Sequence, residues 1–441
     1  MDVEERYNNL YKKLKQSIYY EPELYQQRHL AEYETKIKQN PSHKNDVYRI
    51  LKYFLNWETR RRTEITFVED FIDDLIGKIS YHIQPKKVSL KNPEEKASEK
   101  KKNKDTDGDE TKTKPIFSNI TGSECYEWED INYVFDIPIP LLLLDVWWCC
   151  ECGSVLDAAL DNQCYGNRIH PRVLQSDGGS HLFKKYIDQY NTWRAKAVEK
   201  SEEVLHQKKG VGLFSLDISK CYYSIDINFE EVRQELRESK IETFRKETPI
   251  FNREIYSDTA SKNSSGDSEL TLTRVIEKIH RKCTELISEH ARKTHGNIFG
   301  ENFGEPEGQQ KILPIGLFSS KILSNWYLRE FDKKIIQELN PEYYGRYVDD
   351  ILLVQSVPKP DEKASWKEKE LRQAMEETFV KKGILQYHEE IEEEKQNHSL
   401  SEYEGSGISN GDEENNNKKI KKWYYSIVAS FFCQEKTAAG M

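Results

Sequence analysis

The sequence predicts an α+β fold, on three observations. Apolar residues recur at helical spacing through most of residues 1–85. Short apolar runs that read as strands alternate with amphipathic stretches between residues 211 and 354. No internal repeat replaces either pattern. Hydrophobic residues make up 37% of the 441-residue chain and charged residues 32%, with a mean hydropathy of −0.83, so cores interrupted by solvated segments are expected. Lys and Arg total 66 against 76 Asp and Glu, a net charge of −10. Any nucleic-acid contact must then use a local positive surface, assisted by metal ions. The eight cysteines accompany no apolar leader, since Met1–Tyr7 is acidic and charged, which points to reduced thiols in the cytoplasm. The longest apolar run, Ile137–Cys150, contains Pro138, Pro140 and Asp145 and reads as too short for a bilayer. No membrane partner is expected.

Taken in order, Tyr7, Leu10, Tyr11 and Leu14 share one helical face, and Ile50, Leu51, Phe54 and Leu55 share another, with Pro22 and Pro41 as punctuation. Residues 86–115 are dominated by Lys, Glu, Asp, Thr and Asn without apolar period, and read as a disordered loop. Residues 138–160 form a buried helix opening at Pro140, with Leu141, Leu144, Trp148 and Cys152 on one face. Cys149-Cys-Glu-Cys152 has a CxxC spacing, but inside so apolar a helix it reads as core. Val211–Leu216 is a short strand, and Asn228-Phe-Glu-Glu231 is a capping box. Val275, Ile276, Ile279, Cys283, Leu286 and Ile287 mark an amphipathic helix. Ser319–Leu339 is a further helix, and Tyr344–Val354 reads as two strands around a tight acidic turn. Ser365-Trp-Lys-Glu368 caps a helix carrying Leu371, Met375 and Phe379, which Gly383 closes. Residues 398–421 form a second disordered tract, and Trp423–Cys433 a last strand.

Two acidic sites interrupt apolar strands: Leu213-Phe-Ser-Leu-Asp217-Ile-Ser-Lys-Cys-Tyr222, and Gly345-Arg-Tyr-Val-Asp349-Asp350-Ile-Leu-Leu-Val354. A carboxylate buried unpaired at a strand end costs several kcal/mol. A divalent cation relieves that cost, and Mg²⁺ takes such oxygen ligands together with substrate phosphates. Two ions about 4 Å apart can activate an attacking 3′-hydroxyl and stabilise a leaving pyrophosphate. Tyr-x-Asp-Asp alone recurs by chance in about one chain in twenty of this length, so context decides. Here a strand-end Asp lies upstream, and between the two sites runs Leu313-Pro-Ile-Gly316-Leu-Phe-Ser-Ser320-Lys-Ile-Leu-Ser-Asn325-Trp-Tyr-Leu, a loop entering a helix.

These three blocks, in this order, resemble motifs A, B and C of reverse transcriptases. Leu-Pro-Ile-Gly followed by Ser-Asn-Trp-Tyr-Leu resembles the prokaryotic defence-associated (abortive-infection and "unknown group") branch. Cys164-Tyr-Gly-Asn-Arg168 is similar to a Tyr-Gly-x-Arg element of the fingers in that group. Gly383-Ile-Leu-Gln with the later Lys395 is similar to motif D, and Ser430-Phe-Phe-Cys433 to motif E. The resemblance covers about residues 130–435 and implies a right-hand polymerase fold. On that reading residues 1–85 are a helical N-terminal region and 116–210 the fingers. Residues 211–397 are the palm, with a helical insertion at about 240–310, and 423–441 add its last strand after a loop at 398–422. Only eight residues follow Cys433, so a conventional thumb is expected to be absent.

The resemblance implies that Asp217, Asp349 and Asp350 are catalytic and that Asp217, the Ile218 carbonyl, Asp349 and Asp350 hold two Mg²⁺ ions. It places Tyr222 as a steric gate that excludes a 2′-hydroxyl, with the amides of Lys220 and Cys221 cradling the triphosphate as an anion nest. Gly316 would let its loop approach the nucleotide closely, and Arg168 and Lys395 would bind substrate. Residues 166–220 hold ten Lys and Arg against six Asp and Glu. Ile315, where retroviral and intron enzymes have Gln, cannot make the amide's hydrogen bonds. The implied activity is RNA-directed or protein-primed DNA synthesis from dNTPs in bacterial antiphage defence. Its implied partners are an RNA template or noncoding RNA, the DNA product, and a protein or second copy supplying the thumb. A retron or intron-type reverse transcriptase is one rival, and a catalytically silent nucleic-acid-binding scaffold is another.

Overall fold

The computed structural model describes residues 3–20, 24–55, 62–91, 116–118, 125–173, 181–218, 220–238, 270–295, 311–357, 376–391 and 420–427. It is a mixed α+β structure. Four helices open it: α1 (Val3–Tyr20), α2 (Leu24–Gln39), α3 (His43–Leu55) and α4 (Arg62–Gly77). The apolar stripes read from the sequence face inward. Tyr7, Leu10 and Leu14 of α1 are buried in one core with Ile50, Leu51 and Phe54 of α3.

The helical region ends before residue 85. Strand β1 (Ser80–Lys91) pairs antiparallel with β3 (Cys125–Asp136), whose other edge takes β2 (Ile116–Ser118). Residues 86–91 therefore correct the loop expected from Lys86 onward; 92–115 lie outside the described residues. A strand edged by a partner needs no apolar residues of its own at every step, so composition missed it. The register slips between Pro85 and Lys87, where a proline without an amide can be tolerated.

Helix α5 (Ile139–Trp148) carries a proline in its first turn and runs through a π-helical turn (Cys149–Gly153) into α6 (Ser154–Ala158). Together Ile139–Ala158 is long and apolar enough to cross a membrane, which corrects the shorter run read from the sequence. Its most apolar window is 94% buried inside the protein, where α1, α2, α4 and two later helices, Leu272–His295 and Phe318–Leu339, pack on α5. The π turn sets Cys149, Cys150 and Cys152 in the core, where burial pushes the Cys150 thiol up to about 12. Buried Glu151 is met by Arg6 of α1 at 3.2 Å and by Trp147 Nε1 at 2.7 Å.

After α7 (Tyr186–His206) comes a second sheet of β4 (Gly210–Asp217), β5 (Tyr343–Tyr347) and β6 (Asp350–Val357), with β6 central. Between β4 and β5 lie α8 (Cys221–Ser224), α9 (Phe229–Glu238), α10 (Leu272–His295) and α11 (Phe318–Leu339). Phe214, Tyr344, Ile351 and Leu353 pack on Phe331, Ile335 and Leu339 of α11. Tyr343 and Val354 pack on Trp193 and Ala197 of α7. The box at Asn228 does cap α9, since Asn228 Oδ1 accepts from the Glu230 amide at 3.0 Å. Val275, Ile276, Ile279, Cys283 and Ile287 of α10 are fully buried in the main core. A π-helical turn (Glu376–Val380) buries Phe379 ahead of Gly383 at φ +69°, the C-terminal glycine expected there. Residues 358–375, with the capping box at Ser365, lie outside the described residues. Strands β7 (Leu385–Ile391) and β8 (Ile420–Ile427) pair antiparallel, so Ile420 and Lys421 belong to a strand rather than to the polar tract.

Candidate active site

Tyr347 ends β5 and Asp350 begins β6, leaving Val348 and Asp349 as the turn. Val348 sits at φ +60°, a conformation that costs a β-branched residue about 1–3 kcal/mol and persists only where its surroundings impose it. Arg346 is the main restraint. Its buried guanidinium donates to the Val348 carbonyl at 2.8 Å, to Asn325 Oδ1 at 2.9 Å and to both oxygens of Asp332 at 2.7 and 2.8 Å. Burial opposes the charge on Arg346, and the Asp332 carboxylate overrides it, so the guanidinium stays protonated.

The Tyr-Gly-x-Arg element braces the same turn. The Tyr165 amide donates to the Arg346 carbonyl and the Arg346 amide to the Gln163 carbonyl, each at 2.8 Å. Asn325 Nδ2 donates to the Gly166 carbonyl at 2.8 Å. A Cβ on Gly166 would lie 2.7 Å from both the Val348 amide nitrogen and its Cγ2, so only glycine fits there. Arg168 is spent inside this element, paired with Asp157 at 2.9 Å and donating to the carbonyls of Asp157, Asp161 and Cys164.

The two acidic strand ends meet. Asp217 is the cross-strand partner of Asp350, and the Ile218 amide donates to the Asp349 carbonyl at 3.1 Å. Burial raises the Asp349 carboxyl above the usual carboxylate range, and the charges of Asp217 and Asp350 add to it. Asp350 is raised by burial and by Asp217. Lys220, at φ +53°, turns the chain into α8. The Cys221 amide, expected in an anion nest, donates to the Ile218 carbonyl at 3.2 Å. The Tyr222 carbonyl accepts from the Leu313 amide at 2.8 Å, tying this turn to the loop before α11. Burial pushes the Tyr222 phenol up, with Ser324 of α11 as its hydrogen-bonding neighbour.

Gly316 has φ +120°, and a Cβ there would lie 2.9 Å from the Phe135 carbonyl. Its glycine thus serves a close approach to β3, where Ile315 bridges Val134 and its carbonyl accepts from the Phe135 amide at 3.0 Å. Asp145 of α5 holds the start of α11, accepting from the Phe318 amide at 2.6 Å and the Ser319 amide at 3.3 Å. Burial raises Asp145 to about 6, against the pull of these donors. His280 of α10, driven down to about 4 by burial, donates from Nδ1 to the Ile312 carbonyl at 3.0 Å.

These pieces enclose a cleft of about 290 Å³ lined by Asp217, Ile218, Lys220, Cys221, Tyr222, Gly316 and Asp349. Seven of the residues singled out from sequence therefore share one cavity. Asp350 joins through its pairing with Asp217, Arg168 is not among the lining residues, and Lys395 lies outside the described residues. Sequence reasoning missed four more: Gln26 of α2, Lys86 of β1, Asn132 of β3 and Lys321 of α11. Gln26 reaches across to donate to the Gly316 carbonyl at 3.0 Å. Burial lowers the Lys321 ammonium to about 8. A lysine in the first turn of a helix opposes the helix dipole, and that was the available signal.

Among the described residues no three His, Cys, Asp or Glu side chains form a ready-made metal cage. The donors at the strand ends are carboxylate and carbonyl oxygens, a set that suits Mg²⁺ completed by substrate oxygens. No family model and no curated protein matches the chain.

Proposed function

We propose that the chain is a DNA polymerase of the reverse-transcriptase type, acting in bacterial antiphage defence, with a right-hand fold whose palm is the β4–β6–β5 sheet. The observation that carries the reading is the pairing of Asp217 with Asp350 beside the Asp349 turn, inside a cleft that also holds Tyr222 and Gly316. Asp217, Asp349 and the Ile218 carbonyl would hold Mg²⁺, with Asp350 beside them. When bound, the metal lowers the pKa of an attacking hydroxyl and neutralises the charge of a leaving pyrophosphate. The protein's own part is placement. Arg346 and Gly166 keep the Asp349 turn in its strained shape, so the carboxylate needs no rearrangement as substrate enters. Lys86, Lys220 and Lys321 bring three amines to the cleft and can balance a triphosphate. Tyr222, its backbone tied to Leu313 and its phenol beside Ser324, stands as the steric gate on the sugar.

Replacing Asp349 and Asp350 by Ala should abolish incorporation of labelled dNTPs while the circular-dichroism spectrum stays native. Unchanged incorporation would sink the assignment and leave the scaffold reading. Tyr222→Ala should admit ribonucleotides, which a comparison of dNTP and rNTP incorporation reads directly; equal discrimination in both proteins would remove the gate from Tyr222.

A further inference from the structure

A second cavity, larger than the carboxylate cleft, lies between α1 and the chain leading into α7. It holds about 360 Å³ and is lined by Gln16, Ser17 and Tyr20 of α1, Asn167, the stretch from His181 to Tyr186, Gln189, and Lys321. Lys321 lines both cavities, so the two share a wall. In a chain of net charge −10, the described lining of this cavity contains three lysines and no carboxylate. Neither Lys184 nor Lys185 forms an ion pair among the described residues. Tyr20 and Tyr186 stand at its mouth, 46% and 56% exposed, with ring centroids 5.8 Å apart.

We infer that this cavity binds a single-stranded segment of nucleic acid and delivers it past Lys321 to the carboxylate cleft. Each part of the lining matches one part of such a strand. The amines of Lys184, Lys185 and Lys321 suit phosphodiesters. The rings of Tyr20 and Tyr186 offer faces for bases, and exposed aromatic rings beside a positive groove are how unpaired strands are held without sequence preference. The carboxamides of Asn167 and Gln189 can both donate to and accept from base edges, which only an unpaired strand leaves open, while the Gln16 carboxamide is turned to the His181 ring at 3.0 Å. A free phosphate would use the lysines and ignore the rings.

The inference deepens the polymerase reading, and its test does not depend on catalysis. The full chain is titrated against labelled single strands of RNA and of DNA of about 12 nucleotides, and against the same sequences as duplexes, over a range of salt. Binding should favour single strands, and the RNA and DNA arms show which strand the site prefers. Lys184→Gln with Lys185→Gln should weaken binding roughly tenfold and flatten the salt slope by about 1.4, at about 0.7 per lost phosphate contact. Tyr186→Ala should weaken binding about fivefold or more and leave the slope unchanged. The control pair Lys38→Gln with Lys52→Gln, exposed on α2 and α3, should change neither. An unchanged slope in the Lys184 and Lys185 variant, an equal loss in the control, or a preference for duplex would overturn the inference. If the wild-type chain bound strands as described yet incorporated no nucleotide, the polymerase reading alone would fail.

Discussion

Gly166 has no room for a methyl group, because the backbone of the Asp349 turn lies where its Cβ would be. Gly166→Ala should cost about 1–3 kcal/mol, as overpacking does, and should lower nucleotide incorporation because the displaced atoms belong to the turn itself. Urea unfolding and incorporation of labelled dNTPs read the two effects separately. Arg346 works on the same turn from the other side. Its pairing with Asp332 is fully buried, and such a pair matters less for net stability than for where it holds its neighbours. Asp349 and Asp350 show the cost of the arrangement. Their carboxyls are raised by burial and by the charge of Asp217, so ionising them at neutral pH opposes folding. A bound cation reverses that. Millimolar Mg²⁺ should therefore raise the melting temperature of the wild-type chain, by mass action on the folded state, and should leave that of Asp349→Asn nearly unmoved. Differential scanning fluorimetry across a Mg²⁺ series checks this.

At the scale of elements, α5 and α11 are joined by a cap that neither supplies alone. Leu317, the residue before α11, makes no side-chain cap, and Asp145 from the middle of α5 takes the two amides instead. The carboxyl of Asp145 titrates near 6 in the folded chain against about 4 in the unfolded one. Its folded pKa is the higher, so its contribution to stability is full below about pH 4 and is lost as pH rises through about 6. Relative to Asp145→Asn, which keeps an acceptor and has no charge, the wild-type chain should lose about 2 kcal/mol between pH 4 and pH 7. Denaturant melts of both proteins at the two pH values measure the difference. The π turn after α5 serves a second junction. It delivers Glu151 to Arg6 and Trp147, fastening α1 to the central helix.

Across the whole molecule, the N-terminal region is no appendage, since α1, α2 and β1 supply walls of the two cavities. Gln26 and Lys86 reach the carboxylate cleft from more than 120 residues before Asp217, and α1 walls the second cavity. Much of the rest was legible. The faces of α1, α3, α10 and α11, the strand at 211–216 and the acidic hairpin all follow from apolar period and turn chemistry, which are local properties. The strand at 80–91 was not, because its partner β3 supplies the pairing that its own composition does not advertise.

What the amino-acid order alone determined is the set of acidic blocks, their spacing, and the strands and helices that carry them, since each is encoded within a few neighbouring residues. What only the tertiary structure decided is which distant groups meet: Asp217 against Asp350, Gly166 under Val348, Asp145 at the head of α11, and Gln26, Lys86 and Lys321 in the cleft with Asp217 and Asp349. Those meetings depend on strand register and close packing between segments far apart in the chain, and no local pattern of residues encodes them.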